Sequence, residues 1–418
     1  MSTPKAVKRL NTIEKIEKFL TTQLPEPTLK TTGSSLESFE NSRSFLHRLG
    51  DPQDTHPVIH VAGTSGKGTV SYMIDAILRA HDKRTALLVS PHVYDIRERI
   101  QLNGQFIPER HFITVVNEIL EHLRELSPEQ QLGYWRLMPV LGFAAAARNR
   151  LDYVVAEAAL GGRYDTTNTV TRPDTFNVLT QIGIDHTEQL GATYAQIASE
   201  KAAIVLPKTP VVALSQKQAV NTAFERIFKE RGAHVSWVER TENYLINDTL
   251  LALTTAKQLS ERDGWEFDEE KARTAVNAVY IPGRFEKRTL KEKLIILDGA
   301  HNPQKIRALS WRLENEDYTP CTFVVALSSK KDAAEVIETL KPLAQRIICT
   351  EFFVGQPDIP VTATPDETLA DIARSYGIGQ VEAIQNPLDA DRRAVSYDDS
   401  TAVVAGSFYL LGEIDTLF

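Results

Sequence analysis

The run VIHVAGTSGKGT, Val58 to Thr69, sets three glycines, one lysine and hydroxyls between a β-rich stretch and a helical pattern. A nucleotide's phosphates require such parts. Glycines let backbone N–H groups converge on phosphate oxygens, and a helix N-terminus adds positive potential. Lys67 can neutralise the β and γ phosphates, and Thr69 can reach Mg²⁺. Gly63, Thr64, Ser65, Gly66, Lys67, Gly68 and Thr69 are therefore expected to hold ATP. The spacing is shorter than the general P-loop pattern. A plain glycine turn is the alternative, and it would need neither the strand before nor the helix after.

Three later segments carry polar groups at the ends of strand-like runs: Ser90 in VSPH, Glu157 in AEAALGGR, and Asp185 and His186 in GIDH. In a doubly wound sheet, ligands bind outside the carboxyl ends of the strands, so groups distant in sequence can converge there. Singly, each is more often a satisfied core polar group; together they suit a metal–nucleotide enzyme. Lys201, in IASEKAAI, sits among small apolar residues. The plain reading is an exposed pair with Glu200. A lysine in an apolar site instead has a depressed pKa and can take up CO₂ as a carbamate. Further on, Arg284 in IPGRFE could neutralise phosphate, and Asp298 in ILDGAHNP could accept from ribose hydroxyls. His301 and Asn302 open a helix with Pro303 at its first position.

These groups need elements to place them. Pro57–Ala62, a helix from Lys67 to about His81, and Thr85–Val89 make a βαβ unit. Strands follow at Tyr153–Ala156, Phe176–Ile182 and Pro210–Leu214, with helices at Met138–Arg148 and Ile197–Leu206, predicting a mostly parallel sheet covered on both faces. Beyond the Pro-Gly step near Tyr280 to Arg288 the alternation starts afresh. Strands are expected at Lys293–Leu297, Thr322–Leu327, Arg346–Thr350 and Thr401–Ala405, with helices at Pro303–Glu314, Ala333–Leu340 and Glu367–Tyr376. At 418 residues two α/β domains are expected, divided as 1–281 and 282–418. Residues 23–56 lack periodicity and read as a long surface segment.

A net charge of −8 argues against nucleic acid as the main partner. The longest apolar run, Val140 to Ala147, is far short of a membrane span, and the N-terminus has no signal-peptide core, so a cytoplasmic protein is expected. Cys321 and Cys349 lack metal-ligand spacing and read as buried apolar residues.

Taken in order, the phosphate loop, Ser90-Pro91-His92, Arg97 to Ile100, Glu157 to Asn168, Asp185-His186, Glu200-Lys201, Pro282 to Phe285, Asp298 to Pro303 and VVAGSFYLLGE, Val403 to Glu413, resemble folylpolyglutamate and dihydrofolate synthases, the folate branch of the Mur ligases. The resemblance implies a P-loop-type, mostly parallel ATPase domain followed by a smaller Rossmann-like domain. It implies a ligase that phosphorylates the carboxylate of dihydropteroate or a reduced folate with ATP and joins it to the amine of L-glutamate, releasing ADP and phosphate. Carried over residue by residue, it makes Thr69, Ser90, Glu157 and His186 ligands of two Mg²⁺ ions and Lys201 a carbamylated lysine. Asn247, Arg284 and Asp298 would hold the nucleotide, and Lys67, Lys201 and His301 would be catalytic. Relatives are commonly monomeric.

Some positions depart from the family pattern. Ser65 stands for a common Asn, and Gly133-Tyr134-Trp135-Arg136 stands where many relatives have an aromatic pair followed by Glu. Trp135 keeps a platform on which a pterin could stack, although core packing explains it equally. Arg136 reverses the local charge. Thr32, Gly33 and Ser34 fall where relatives have a substrate loop. A Mur-type ligase with a non-folate substrate is the alternative. Cell-wall ligases, however, usually carry an extra uridine-nucleotide domain, and only about 56 residues precede the loop's strand. A binding protein that has lost its chemistry would not need the Ser90, Glu157, His186 and Lys201 set.

Overall fold

The computed structural model describes residues 9–24, 35–353, 361–398 and 400–418. The chain divides into two compact units, one of residues 1–92 and 96–279, the other of Val93–Asp95 and Tyr280–Phe418.

The first unit is built on an eight-stranded sheet: β1 Val58–Ala62, β2 Thr85–Leu88, β3 Ile100–Leu102, β4 Gln105–Phe106, β5 Tyr153–Glu157, β6 Phe176–Leu179, β7 Pro210–Leu214 and β8 His234–Val238. Their order is β4-β3-β2-β5-β1-β6-β7-β8. From β2 to β8 all neighbours are parallel, and β3 and β4 add an antiparallel edge. β1 is buried at every residue, as befits a central parallel strand covered on both faces. Its side chains alternate: Val58 packs with Leu88, Phe112 and Phe143, whereas Ile59 and Val61 pack with Val70, Ile74 and Val155. Register pairs Val61 with Glu157 and Ala62 with Leu179, so the ends of β1, β5 and β6 lie side by side.

The second unit is a six-stranded sheet of β9 Glu286–Leu290, β10 Lys293–Asp298, β11 Cys321–Val325, β12 Ala344–Cys349, β13 Val381–Ala383 and β14 Thr401–Ala405. The order is β13-β12-β11-β14-β10-β9, parallel except for β9 against β10. Both domains are thus mostly parallel α/β, the second smaller. Cys321 and Cys349 are buried in its core, and burial pushes both thiols up to about 12. No described helix is long and apolar enough to cross a membrane.

The expected long surface segment at 23–56 is instead partly helical. Leu36–Arg48 is a helix capped by Ser35, with Ser38, Ser42, Phe45 and Leu46 buried. Two of those four buried residues are serines, so no apolar stripe betrayed it. The helix expected from Met138 begins at Tyr134 and runs through Pro139 to Ala147. It is buried almost all round, which leaves no amphipathic period to read.

Candidate active site

β1 delivers the chain to Gly63, and the helix Lys67–Ala80 starts from Gly66, whose φ of +85° is left-handed. A Cβ at Gly63 would lie 1.9 Å from Thr180 Oγ1, and one at Gly66 would lie 2.4 Å from Asp248 Oδ1. Glycine is required at both positions because the loop is wedged between β6's end and Asp248. The N–H groups of Thr64 and Ser65 donate to Gln181 O at 2.8 and 3.1 Å, and Thr180 Oγ1 donates to Ser65 O at 2.7 Å. Those two amides therefore set the loop's own shape. No side chain caps the helix start at Gly66, an arrangement that can take up an anion.

Lys67 Nζ is 3.8 Å from Glu157 Oε1, and Glu157 Oε2 accepts from the N–H of Ser90 at 3.0 Å. The ends of β2 and β5 and the start of the phosphate helix thus meet through one buried carboxylate. Lys201, on the helix Tyr194–Ala202, is 5% exposed. Burial, reinforced by the positive charge of Lys67 and opposed by Asp185, Asp165 and Glu157, brings its pKa down to about 7. The exposed Glu200–Lys201 pair is not found: Glu200 Oε1 accepts from Arg163 Nε at 2.8 Å, and Lys201 is turned inward. Gly162 makes that packing possible, since a Cβ there would lie 2.8 Å from the carbonyls of Glu200 and Lys201. His186 is exposed, with a left-handed φ of 50°, its N–H bonded to Asp185 Oδ1 at 3.0 Å. Among the described residues no three His, Cys, Asp or Glu side chains form a metal-binding group. The expected set contains only one carboxylate, with hydroxyls and one imidazole.

A buried chain lies beneath this region. His60 Nε2 is 2.8 Å from Thr167 Oγ1, which donates to Asp165 Oδ1 at 2.6 Å. Burial, against the pull of Asp165, lowers His60 to about 4, so it is neutral. Asp165 also accepts from Leu160 N and Thr167 N. His60, Asp165 and Thr167 carry no distinct signal in the sequence, although Asp165 and Thr167 fall within the motif Glu157 to Asn168. Trp135 is half-buried, its ring edge-on to Tyr134 at 5.4 Å, with the Arg99 guanidinium 5.2 Å from both rings. Asn247 lies inside the helix Tyr244–Asp263, buried. Its Oδ1 accepts from Thr241 N and Oγ1 and its Nδ2 donates to Thr241 O, which is a local structural duty. Thr32, Gly33 and Ser34 lie outside the described residues.

In the second unit Asp298 ends β10 and accepts from the N–H groups of Phe285 and Ala300, both at 2.8 Å. Burial raises its pKa despite nearby Arg284. The Arg284 guanidinium lies 4.5 Å from the Phe408 ring centre. His301 Nδ1 donates to Gly299 O at 2.9 Å, and Nε2 lies 3.1 Å from Lys305 Nζ. Burial together with Lys305 and Lys331 holds it well below the usual imidazole range, hence neutral. Asn302 caps the helix Pro303–Asn315, with Pro303 at its first position. The unforeseen residue is Glu286, a buried carboxylate. It accepts from Gly283 N (2.7 Å), Tyr280 Oη (2.7 Å), Tyr94 Oη (2.8 Å) and Arg288 Nε.

The family model of the dihydrofolate synthetase C-terminal domain matches residues 283–417. A dihydrofolate synthase/folylpolyglutamate synthase of Mycobacterium tuberculosis is 28% identical, over 90% of this chain and 88% of its own. A probable bifunctional folylpolyglutamate synthase/dihydropteroate synthase of Haloferax volcanii is 27% identical over 90% of this chain, which spans 48% of that longer protein. Among solved structures, M. tuberculosis folylpolyglutamate synthase complexed with ADP superposes with a TM-score of 0.83 at 26% identity, covering 97% of this chain and 98% of that one. Such likeness extends through both sheets and the ordered motifs that they carry, so along nearly its whole length this chain is similar to folylpolyglutamate and dihydrofolate synthases.

Proposed function

We propose that this chain is an ATP-dependent ligase that forms an amide between the carboxylate of dihydropteroate or a reduced folate and the amine of L-glutamate. The observation that carries this reading is the grouping of Lys67, Glu157 and a desolvated Lys201 at the uncapped start of the phosphate helix. Phosphoryl transfer to a carboxylate needs in-line positioning and charge neutralisation rather than a covalent nucleophile. Lys67 and the first-turn amides would hold the β and γ phosphates while a carboxylate oxygen bonds to the γ phosphorus and the bond to ADP breaks. The amine of glutamate then adds to the acyl carbon, phosphate leaves, and the amine proton passes to solvent or a base. Two further roles belong to this proposal. Thr69, Ser90, Glu157 and His186 would hold two Mg²⁺ ions, which when bound supply charge neutralisation. Hydroxyl and carboxylate oxygens suit that hard cation. A neutral Lys201 amine would add to CO₂ and lose a proton, becoming a carbamate that contributes another oxygen ligand. Arg284 and Asp298 are proposed nucleotide contacts and His301, held neutral, a catalytic residue; Asn247 is proposed only through its support of Thr241.

Release of ADP is measured with Mg-ATP and L-glutamate, separately with dihydropteroate and tetrahydrofolate. Glutamate-dependent release with at least one is expected, and none with either would overturn the folate ligase.

A further inference from the structure

We infer that Arg136 reads the heterocycle of the carboxylate substrate through a pair of adjacent acceptors, and so selects a dihydropteridine over its tetrahydro form. The inference rests on the folate-ligase reading above and deepens it. Arg136 is 3% exposed in the first turn of the helix Tyr134–Ala147. That turn contains no acidic residue and its start no side-chain cap, so the cation sits at the positive end of the helix dipole. Nη1 donates to Tyr164 O at 2.9 Å and lies 3.4 Å from Thr166 Oγ1 and 3.5 Å from Ser42 Oγ. Nε and Nη2 are buried and have no hydrogen-bond partner.

Those two atoms share one edge of the guanidinium, the edge that donates two parallel N–H bonds. Burial lowers the arginine to about 10 while nearby Asp165 opposes that, so it is still charged at neutral pH. Asp165 nevertheless makes no ion pair with it, its oxygens being engaged by Leu160 and Thr167. A buried cation with an unmatched forked edge is costly, and no described residue supplies the acceptors. A ligand can.

The chemistry of the edge says which ligand. A guanidinium fork matches two acceptors on neighbouring ring positions, as in arginine's pairing with the O6 and N7 of guanine. A dihydropteridine offers that pair, the C4 carbonyl oxygen and the imine nitrogen N5. In the tetrahydro ring N5 carries a hydrogen, and donor then faces donor. The opposite edge of the ring, with its amino group and N–H, cannot serve the fork either. Trp135, adjacent in sequence and half-exposed, provides an aromatic face of the kind on which such a ring stacks.

The test compares kcat/KM for dihydropteroate and tetrahydropteroate, which differ only in ring reduction, in the wild type, Arg136→Met and Arg136→Lys. The wild type should favour the dihydro form by about tenfold to a hundredfold, the discrimination of one forked pair. Both variants should bring the ratio near one, with melting temperature and ADP affinity retained. Lysine keeps the charge without the fork, so it also reads the effect should the methionine variant fail to fold. A 5-deaza analogue of dihydropteroate, with C–H in place of N5, should lose affinity for the wild type and not for the variants. A wild-type ratio near or below one, or variants that weaken both substrates in proportion, would overturn the assignment. Binding of both pteroates, followed by tryptophan fluorescence, reads the same ratio without turnover. Binding selectivity that depends on Arg136 but without turnover would therefore count against the ligase alone.

Discussion

A lysine held about 95% buried beside a second lysine has its charge disfavoured twice, by desolvation and by repulsion. The consequence at Lys201 is a pH window. Its folded value is about 7 against an ordinary 10.5, so the amine is neutral above about 7 and protonated below it. Carbamate formation needs the neutral amine. Uptake of ¹³C-labelled CO₂ by the metal-free protein, followed by carbamate NMR, should rise with a midpoint near 7 and vanish in Lys201→Ala. A midpoint close to 10 would show that the lysine is hydrated and would remove the carbamate from the mechanism. The same shift sets a stability trend. Between about 7 and 10.5 the unfolded chain holds a proton at this lysine that the folded chain does not, so this group's contribution to stability rises with pH across that window. Lys201→Met should flatten that trend.

The phosphate loop is an element whose shape is imposed from outside it. Thr180 approaches so closely at Gly63 that even a methyl group must displace something. Gly63→Ala should weaken Mg-ATP binding by roughly tenfold or more, and Thr180→Ala alone should weaken it less, through loss of the bond to Ser65 O. Joined, the two should cost less than their sum, because Thr180→Ala removes the atom that the new methyl meets. Strict additivity in a titration calorimetry cycle would sink that account. Elements differ in how plainly the sequence announces them. The parallel strands were legible because burial on both faces makes them continuous apolar runs, and their ends carried Glu157, Ser90 and Asp298 in readable motifs. The helix Leu36–Arg48 was not, since serines occupy half of its buried positions. Lys201 could be suspected from its small apolar neighbours. The burial of Arg136 could not, because Ser42 and Tyr164 reach it from 94 and 28 residues away. Asn247 shows the reverse: a loose motif suggested a ligand contact, and the helix assigns its amide to Thr241.

At the scale of the whole molecule the chain passes between its two units three times, after residues 92, 95 and 279. The short visit, Val93–Asp95, brings Tyr94 to Glu286 across 192 residues of sequence. Burial would raise that carboxyl, but the Gly283 amide, Tyr280, Arg288 and Tyr94 together hold it below the ordinary range. A folded value that is depressed contributes stability above about 4.5 and loses it as the pH falls through the folded value. Tyr94→Phe removes one of four donors to a buried anion and should destabilise the second unit by about 1–3 kcal/mol at neutral pH. The loss should shrink in acid, where the carboxyl is protonated. Hydrogen exchange locates the effect: amides of β9 and β10 should exchange faster, while those of β1 and β5 in the first unit keep their protection. Equal acceleration in both sheets would mean that the two units unfold as one, and no change in β9 and β10 would mean that the tyrosine merely rests there. The first outcome would also change how Lys201 is read, because its pH-dependent contribution would then be felt by both sheets rather than by the first alone.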